Sequence, residues 1–216
     1  MTAIELRPLP VTHDPVRRLA QLVGGLALYG TSMAMQVRAT LGLNPWDVLH
    51  EGLTERTPLG FGLVTAVTGV VVLLLWIPLR QRPGVGTVAN VLVIAVTVDV
   101  ALALLPAPDA LPARVALMTA GIVLNGVASA AYVGARLGPG PRDGLMTGLA
   151  ARTGRSLRLV RTGIEVTVLT AGWLLGGTVG AGTVLYALAI GPLTQAFLPF
   201  LAVRTPRPPG STAARR

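Results

Sequence analysis

Shifted by 96 positions, the sequence aligns with itself without a gap. "LYGTSMAMQVRATLGLNPWDVLHEGLTERT" from Leu28 falls on "LNGVASAAYVGARLGPGPRDGLMTGLAART" from Leu124. Leu28, Gly30, Ala34, Val37, Ala39, Leu41, Gly42, Pro45, Asp47, Leu49, Gly52, Leu53, Arg56 and Thr57 each meet an identical residue. The match resumes where "GVGTV" (Gly84–Val88) falls on "GAGTV" (Gly180–Val184). A duplication of this length requires that one structural plan be built twice, which removes most folds from consideration.

What is built twice is oily. Six long, mostly apolar blocks run through the chain: Leu19–Val37, Phe61–Leu79, Gly86–Leu105, Val115–Ala135, Leu159–Leu175 and Thr183–Val203. Most reach the roughly 20 residues that cross a hydrocarbon core. Charged residues make up only 12% of the chain, against about a quarter in soluble domains. In lipid the backbone must satisfy its own hydrogen bonds, so each block is expected to be a helix. The expected fold is therefore an all-α membrane protein with six transmembrane helices. Three spans per half is an odd number, so the second half enters the membrane upside down. That gives a 3+3 inverted repeat, a plan shared by many secondary transporters. The expected division is a tail over 1–18, repeat 1 over 19–105, an outer proline-rich linker over 106–114, repeat 2 over 115–203 and a tail over 204–216.

The net charge of +9 comes from 18 basic residues, all arginine. With six spans, 15 of them fall on one side and Arg38, Arg56 and Arg114 on the other. This asymmetry is a positive-inside signal and places both termini in the cytoplasm. Charge used for topology leaves no reason to invoke nucleic acid. The bias toward Ala, Gly and Arg points to a GC-rich bacterial genome, hence to a bacterial inner membrane. No cysteine is present, so disulfides and thiolate metal sites are excluded.

The two copies of one polar connection carry the chain's most distinctive residues. "GLNPWDVLHEGLTERT" (Gly42–Thr57) and "GPGPRDGLMTGLAART" (Gly138–Thr153) share Gly, Pro, Asp, Leu, Gly, Leu, Arg and Thr at fixed spacing. Pro45 and Pro141 break one helix and suit the first turn of the next. Asn44 or Gly140 takes the cap position. Asp47 and Asp143 fall in the first turn, where the helix dipole favours an anion. A short interfacial or re-entrant helix is expected after the first helix of each repeat. Trp46, in place of Arg142, suits an anchor at the outer membrane boundary. "GLNPWD", "GPGPRDGLMTGLAARTG", "RTGIEV" and "GWLLGGTVGAGT" together resemble the bacterial YczE-type membrane proteins of the YczE/YyaS/YitT grouping. The resemblance implies an integral membrane protein without a defined biochemical activity.

The candidate contact residues are few. Arg142 and Asp143 can hold an anion and a cation or proton, or serve as topology charge and helix cap. "GPGPRDG", with Gly144 closing it, lacks the P-loop ending, and its prolines remove donors a phosphate cradle needs. Arg158, Arg161 and Glu165 share one helix face in the fifth block. Glu165 lies about 6 Å deeper than Arg161 by helical rise. A carboxylate at that depth should be paired or line a wet cavity. Asp99 raises the same question in the third block, opposite Gln195 in the repeat. His50 has no second histidine near it, so no metal site is expected. No catalytic set is complete, so neither an enzyme nor a cofactor is expected. Small residues at Gly30, Ala34, Gly126 and Ala130, and the Gly172–Gly176 spacing, suit close helix contacts within the chain or in a homodimer. The leading expectation is a transporter-like carrier of a small solute in the lipid bilayer, with Asp47 and Asp143 at its outer and inner mouths. Its alternative is a scaffold or regulator whose arginine-rich face binds a protein partner or anionic lipid.

Overall fold

The computed structural model describes residues 8–10 and 12–203. The tail arginines at positions 7, 204, 207, 215 and 216 lie outside the described residues, as does the expected C-terminal tail. Eight α-helices and no strand are present among the described residues. They are α1 (Pro15–Ala39), α2 (Pro45–Arg56), α3 (Phe61–Leu79), α4 (Val85–Leu104), α5 (Leu111–Gly134), α6 (Pro141–Thr153), α7 (Leu157–Leu174) and α8 (Ala181–Leu201). α5 starts at Leu111, so the expected linker shortens to six residues, Leu105–Ala110.

The helix starts follow from local chemistry. Proline, which has no N–H to leave unsatisfied, opens α1, α2 and α6. Asn44 caps α2 by accepting from the Asp47 backbone N–H at 3.1 Å, and Ser156 caps α7 by accepting from Leu159 at 3.3 Å. Thr87 and Thr183 reach back to accept from the Gly84 and Gly180 N–H groups at 3.0 and 3.2 Å. These two bonds stand 96 residues apart, and they are the first of a series.

α1 and α5 pack on each other along their length at the centre of the molecule. Each ends against an arginine of the other. Arg18 Nε donates to the Ala135 carbonyl at 2.9 Å and Arg114 Nε donates to the Ala39 carbonyl at 2.9 Å. Their second nitrogens reach the Arg136 and Thr40 carbonyls at 3.0 and 2.8 Å. Helix C-termini expose carbonyls without intrahelical partners, and guanidinium groups satisfy them. Beyond these ends the two connections have the same backbone. Thr40 and Arg136 have φ of 51° and 56°, and Gly42 and Gly138 have φ of 107° and 124°. The last pair lies in a region that L-residues with side chains rarely adopt. Each connection then lies against the first turn of a helix from the other half. Gly86 of α4 donates to Leu137 at 2.9 Å, and Gly182 of α8 donates to Leu41 at 2.8 Å. The two halves are interlocked.

α4 packs on α1, and α8 packs on α5. A Cβ on Gly30 would meet Thr97 Oγ1 at 2.1 Å, and one on Gly126 would meet Leu193 Cβ at 2.7 Å. The small residues expected to build helix contacts are thus used inside the chain at both positions. α3 packs on α4, α2 and α6, whereas α7 packs on α2 and α6 without a comparable contact to α8.

Among the described residues four helices, α3, α4, α5 and α8, are long and apolar enough to cross a membrane. They carry a broad outward surface of exposed apolar side chains, including Leu74, Ile77, Leu92, Val96, Leu188 and Phe200. Such a continuous apolar exterior belongs in lipid. α1 and α7, read as spans from the sequence, are less apolar for different reasons. α1 is buried along one side, with Leu22, Leu26, Met33 and Ala34 inside, where it also carries buried Ser32 and Gln36, while Val23 and Leu28 face outward. α7 carries Arg158, Arg161 and Glu165.

Candidate functional site

Side chains from the first turns of α2 and α6 meet inside the molecule. The α1–α2 and α5–α6 connections lie at opposite ends of the central helix pair, yet Arg142 Nη2 is 3.5 Å from Asp47 Oδ1. Asp47 is fully buried. It therefore does not occupy a mouth, as the sequence suggests. A carboxylate out of water needs partners, and Asp47 has more than Arg142. Asn44 Nδ2 donates to its Oδ2, its own backbone N–H is held by Asn44 Oδ1, and His50 Nδ1 lies 3.2 Å from its Oδ1. His50 Nδ1 is also 3.2 Å from Thr65 Oγ1, whose hydroxyl donates to the Phe61 carbonyl. Carboxylate and hydroxyl oxygen both accept here, which assigns the proton to Nδ1. His50 is thus a positioning partner of Asp47.

Arg142 lies over the Trp46 ring, its guanidinium carbon 4.9 Å from the centroid. Trp46 is only 6% exposed, packed on Val72 and Trp76. The expected surface anchor is an interior residue, because α2 turns this face toward α3. Trp76 in turn donates from Nε1 to the Pro141 carbonyl at 3.0 Å. Its ring lies where a Gly144 side chain would be, since a Cβ there would come 2.0 Å from Trp76 Cζ2. Trp46 and Pro141 thus line the cavity, Gly144 gives the Trp76 ring its place, and Pro45 opens α2 without reaching the cavity wall.

The cavity itself is lined by Tyr29, Trp46, His50, Thr68, Val72, Asn90, Ile94, Tyr132, Gly140, Arg142 and Asp143, among others. Tyr29, Thr68 and Ile94 are near the midpoints of α1, α3 and α4. Tyr132 donates to Asp143 Oδ2 at 2.8 Å. A Cβ on Gly140 would be within 3.2 to 3.5 Å of Asp143 Oδ2, Asn90 Nδ2 and Tyr132 OH. Three polar groups from three helices therefore converge on the start of α6. A second, open cleft is lined by Tyr29, Tyr132, Arg136, Asp143, Arg161, Tyr186, Thr194 and Gln195. Tyr29, Tyr132 and Asp143 belong to both walls. The Tyr132–Asp143 hydrogen bond therefore stands between cavity and cleft.

The remaining candidates lie apart. Arg161 Nε and Glu165 Oε1 form a 2.8 Å pair on α7, with side chains 58% and 32% exposed in the protein alone. Arg161 lines the cleft, while Glu165 belongs to the wall of neither space. Asp99 accepts from the Gly62 N–H at 2.7 Å and so caps α3, whose own cap residue Gly60 has no side chain. Sequence reasoning missed Tyr29, Asn90, Asn125, Tyr132 and Tyr186. One signal was available: the 96-residue shift sets Tyr29 on Asn125 and Asn90 on Tyr186, a reciprocal exchange. In the second repeat the exchanged pair is bonded, Tyr186 OH donating to Asn125 Oδ1 at 3.0 Å.

Comparison with known proteins matches the same stretch of chain. A family model described as a family of unknown function (DUF6198) matches residues 16–199. An uncharacterized protein of Haemophilus influenzae is 38% identical over 186 residues, covering 86% of this chain and 85% of its own length. The uncharacterized membrane protein YczE of Bacillus subtilis is 34% identical over 172 residues, covering 79% and 80%. The uncharacterized protein YyaS of Bacillus subtilis is 22% identical over 181 residues, covering 82% and 90%. No solved structure matches the chain.

Proposed function

The chain belongs to the family of unknown function DUF6198, among the YczE-type membrane proteins, and from that premise we propose that it is a carrier of a small solute across the bacterial inner membrane. In this reading α1, α3, α4, α5, α7 and α8 span the membrane as two inverted sets of three, with both termini cytoplasmic. The matched contacts support it: Arg18 to Ala135 against Arg114 to Ala39, and Gly86 to Leu137 against Gly182 to Leu41. An odd number of spans per repeat makes such a pair antiparallel across the membrane.

The observation that carries the proposal is the cavity between the first turns of α2 and α6. Polar residues at the mid-height of a membrane bundle are costly unless they serve a solute or one another. Here Arg142, Asp143 and Asn90 line space, and the Tyr132–Asp143 contact, with Tyr29 beside it, stands between that space and an open cleft. The repeats differ in one packing relationship that bears on mechanism. α3 closes on α4, while the equivalent α7 leaves a cleft before α8. In an inverted-repeat carrier, the opposite state is reached when the halves exchange conformations. Opening α3 from α4 and closing α7 on α8 would expose the cavity to the other side. The cleft lies at the end that carries Arg136, the arginine-rich face read as cytoplasmic.

Solute uptake by purified protein in proteoliposomes tests this. Counterflow of at least one solute from a broad panel of small metabolites is expected, with loss in Arg142→Gln. No movement of any solute, together with one stoichiometric protein recovered by crosslinking in cells, would favour the scaffold reading.

A further inference from the structure

We infer that the cavity recognises a small zwitterion, a solute bearing one carboxylate and one ammonium in the manner of an α-amino acid. This rests on the carrier reading and names its substrate class. The argument begins with the signs of charge on the wall. Arg142 and Asp143 are consecutive residues in the first turn of α6, and both line the cavity. Asp47 does not line it; its charge is spent on Arg142, Asn44 and His50. A solute with only a negative charge would meet Asp143, and one with only a positive charge would meet Arg142. A solute carrying both satisfies both.

Unused donors mark the carboxylate end. A guanidinium has five N–H donors, and among the described residues Arg142 makes one long hydrogen bond, 3.5 Å to Asp47. The first turn of α6 is likewise open. In α2 the Asn44 side chain takes the Asp47 N–H, but α6 has Gly140 at the cap and no side-chain acceptor. Helix N-termini left open in this way bind anions. Trp46 adds an independent observation. It lines the cavity, is 6% exposed, and its indole N–H has no hydrogen-bond partner among the described residues. Buried donors are nearly always paired, and a carboxylate seated against Arg142 would be the missing acceptor.

The ammonium end is marked by acceptors and rings. Asp143 accepts from Tyr132 through Oδ2, and its other oxygen can accept from a solute. Tyr29 and Tyr132 meet edge to face beside it, centroids 6.1 Å apart, and aromatic faces attract ammonium groups. Val72, Val91 and Ile94 complete the wall and suit a short apolar side chain.

Matched probes test the assignment: L-alanine and L-leucine, their amides, which lack the carboxylate, and propionate and 4-methylpentanoate, which lack the ammonium. Binding to the purified full-length protein in nanodiscs is read by thermal shift and by radioligand titration, with all the common amino acids screened. At least one zwitterion is expected to bind about tenfold or more tightly than either of its single-charge analogues, the usual worth of a charged hydrogen bond. Arg142→Gln should lose the zwitterion, and Arg142→Lys should retain part of it. Asp143→Asn should remove the preference for the zwitterion over its des-amino analogue. If Arg142→Gln does not fold, the Asp143→Asn result decides. Equal binding of an analogue in the wild type, binding unchanged in Asp143→Asn, or no binding of any amino acid would overturn the inference. Flux of a solute with one charge or none would overturn it while leaving the carrier standing. Zwitterion binding without flux would do the reverse.

Discussion

Arg142 Nη2 and Asp47 Oδ1 lie 3.5 Å apart, joining the first turn of α6 to the first turn of α2 from connections at opposite ends of the central helices. Asp47 is fully buried and the Arg142 side chain is 25% exposed. Removing one member of such a pair strands the other's charge in a medium that solvates it poorly. Asp47→Asn and Arg142→Gln are each expected to destabilise the protein by on the order of 3 kcal/mol. The double variant should recover part of the loss. A double-mutant cycle on thermal or denaturant unfolding in detergent measures the coupling; strict additivity would mean the contact carries no energy.

The Trp76 ring requires glycine at 144. Gly144→Ala brings a methyl to 2.0 Å from Trp76 Cζ2, and the ring cannot simply move off because its Nε1, on the same edge, is held by the Pro141 carbonyl. Overpacking of this kind costs about 1–3 kcal/mol. Gly163→Ala in α7 is the control, since no described residue lies within 4 Å of its added Cβ. It should leave stability unchanged or raise it, through better helix propensity. Melting temperatures of the two variants, measured side by side, check the difference in sign.

Arg18 and Arg17 are neighbours with opposite duties. Arg18 is buried and bonds the Pro10, His13, Ala135 and Arg136 carbonyls, while Arg17 is exposed. Arg18→Gln is expected to cost about 2–3 kcal/mol, the worth of charged hydrogen bonds left unmade. Arg17→Gln should change stability by less than about 0.5 kcal/mol. Unfolding of both variants in the same detergent distinguishes a structural arginine from a topological one.

That contrast shows how far the sequence can be read. The repeat sets Asp47 opposite Asp143 and predicts the helix starts at Pro45 and Pro141, because proline, caps and first-turn acids are local signals. It cannot pair Asp47 with Arg142, because that contact joins side chains across 95 residues and depends on how α2 and α6 are turned. Trp46 reads as a boundary anchor by composition, and only packing on Val72 and Trp76 makes it internal. As charges alone, Arg18 and Arg114 fall on opposite sides. Their 96-residue relation, visible in the same alignment, is the signal that they do one job twice.

Asp99 should prove separable from the cavity. It caps α3 through the Gly62 N–H, and losing a side-chain cap costs about 1 kcal/mol. Asp99→Ala is expected to lower stability by that amount and to leave solute binding unchanged, as ligand titration of the variant would record. A loss of binding at unchanged stability would return Asp99 to the set of contact residues.

The chain has no cysteine, so a single Asn90→Cys substitution reports on the cavity wall without a background. Membrane-impermeant charged thiol reagents are added to right-side-out or inside-out vesicles, and labelling of the introduced thiol is followed over time. Alternating access predicts that the cavity is reached from both sides, with labelling from each side slowed by a saturating transported solute. Labelling from one side alone, or from neither, would contradict the carrier.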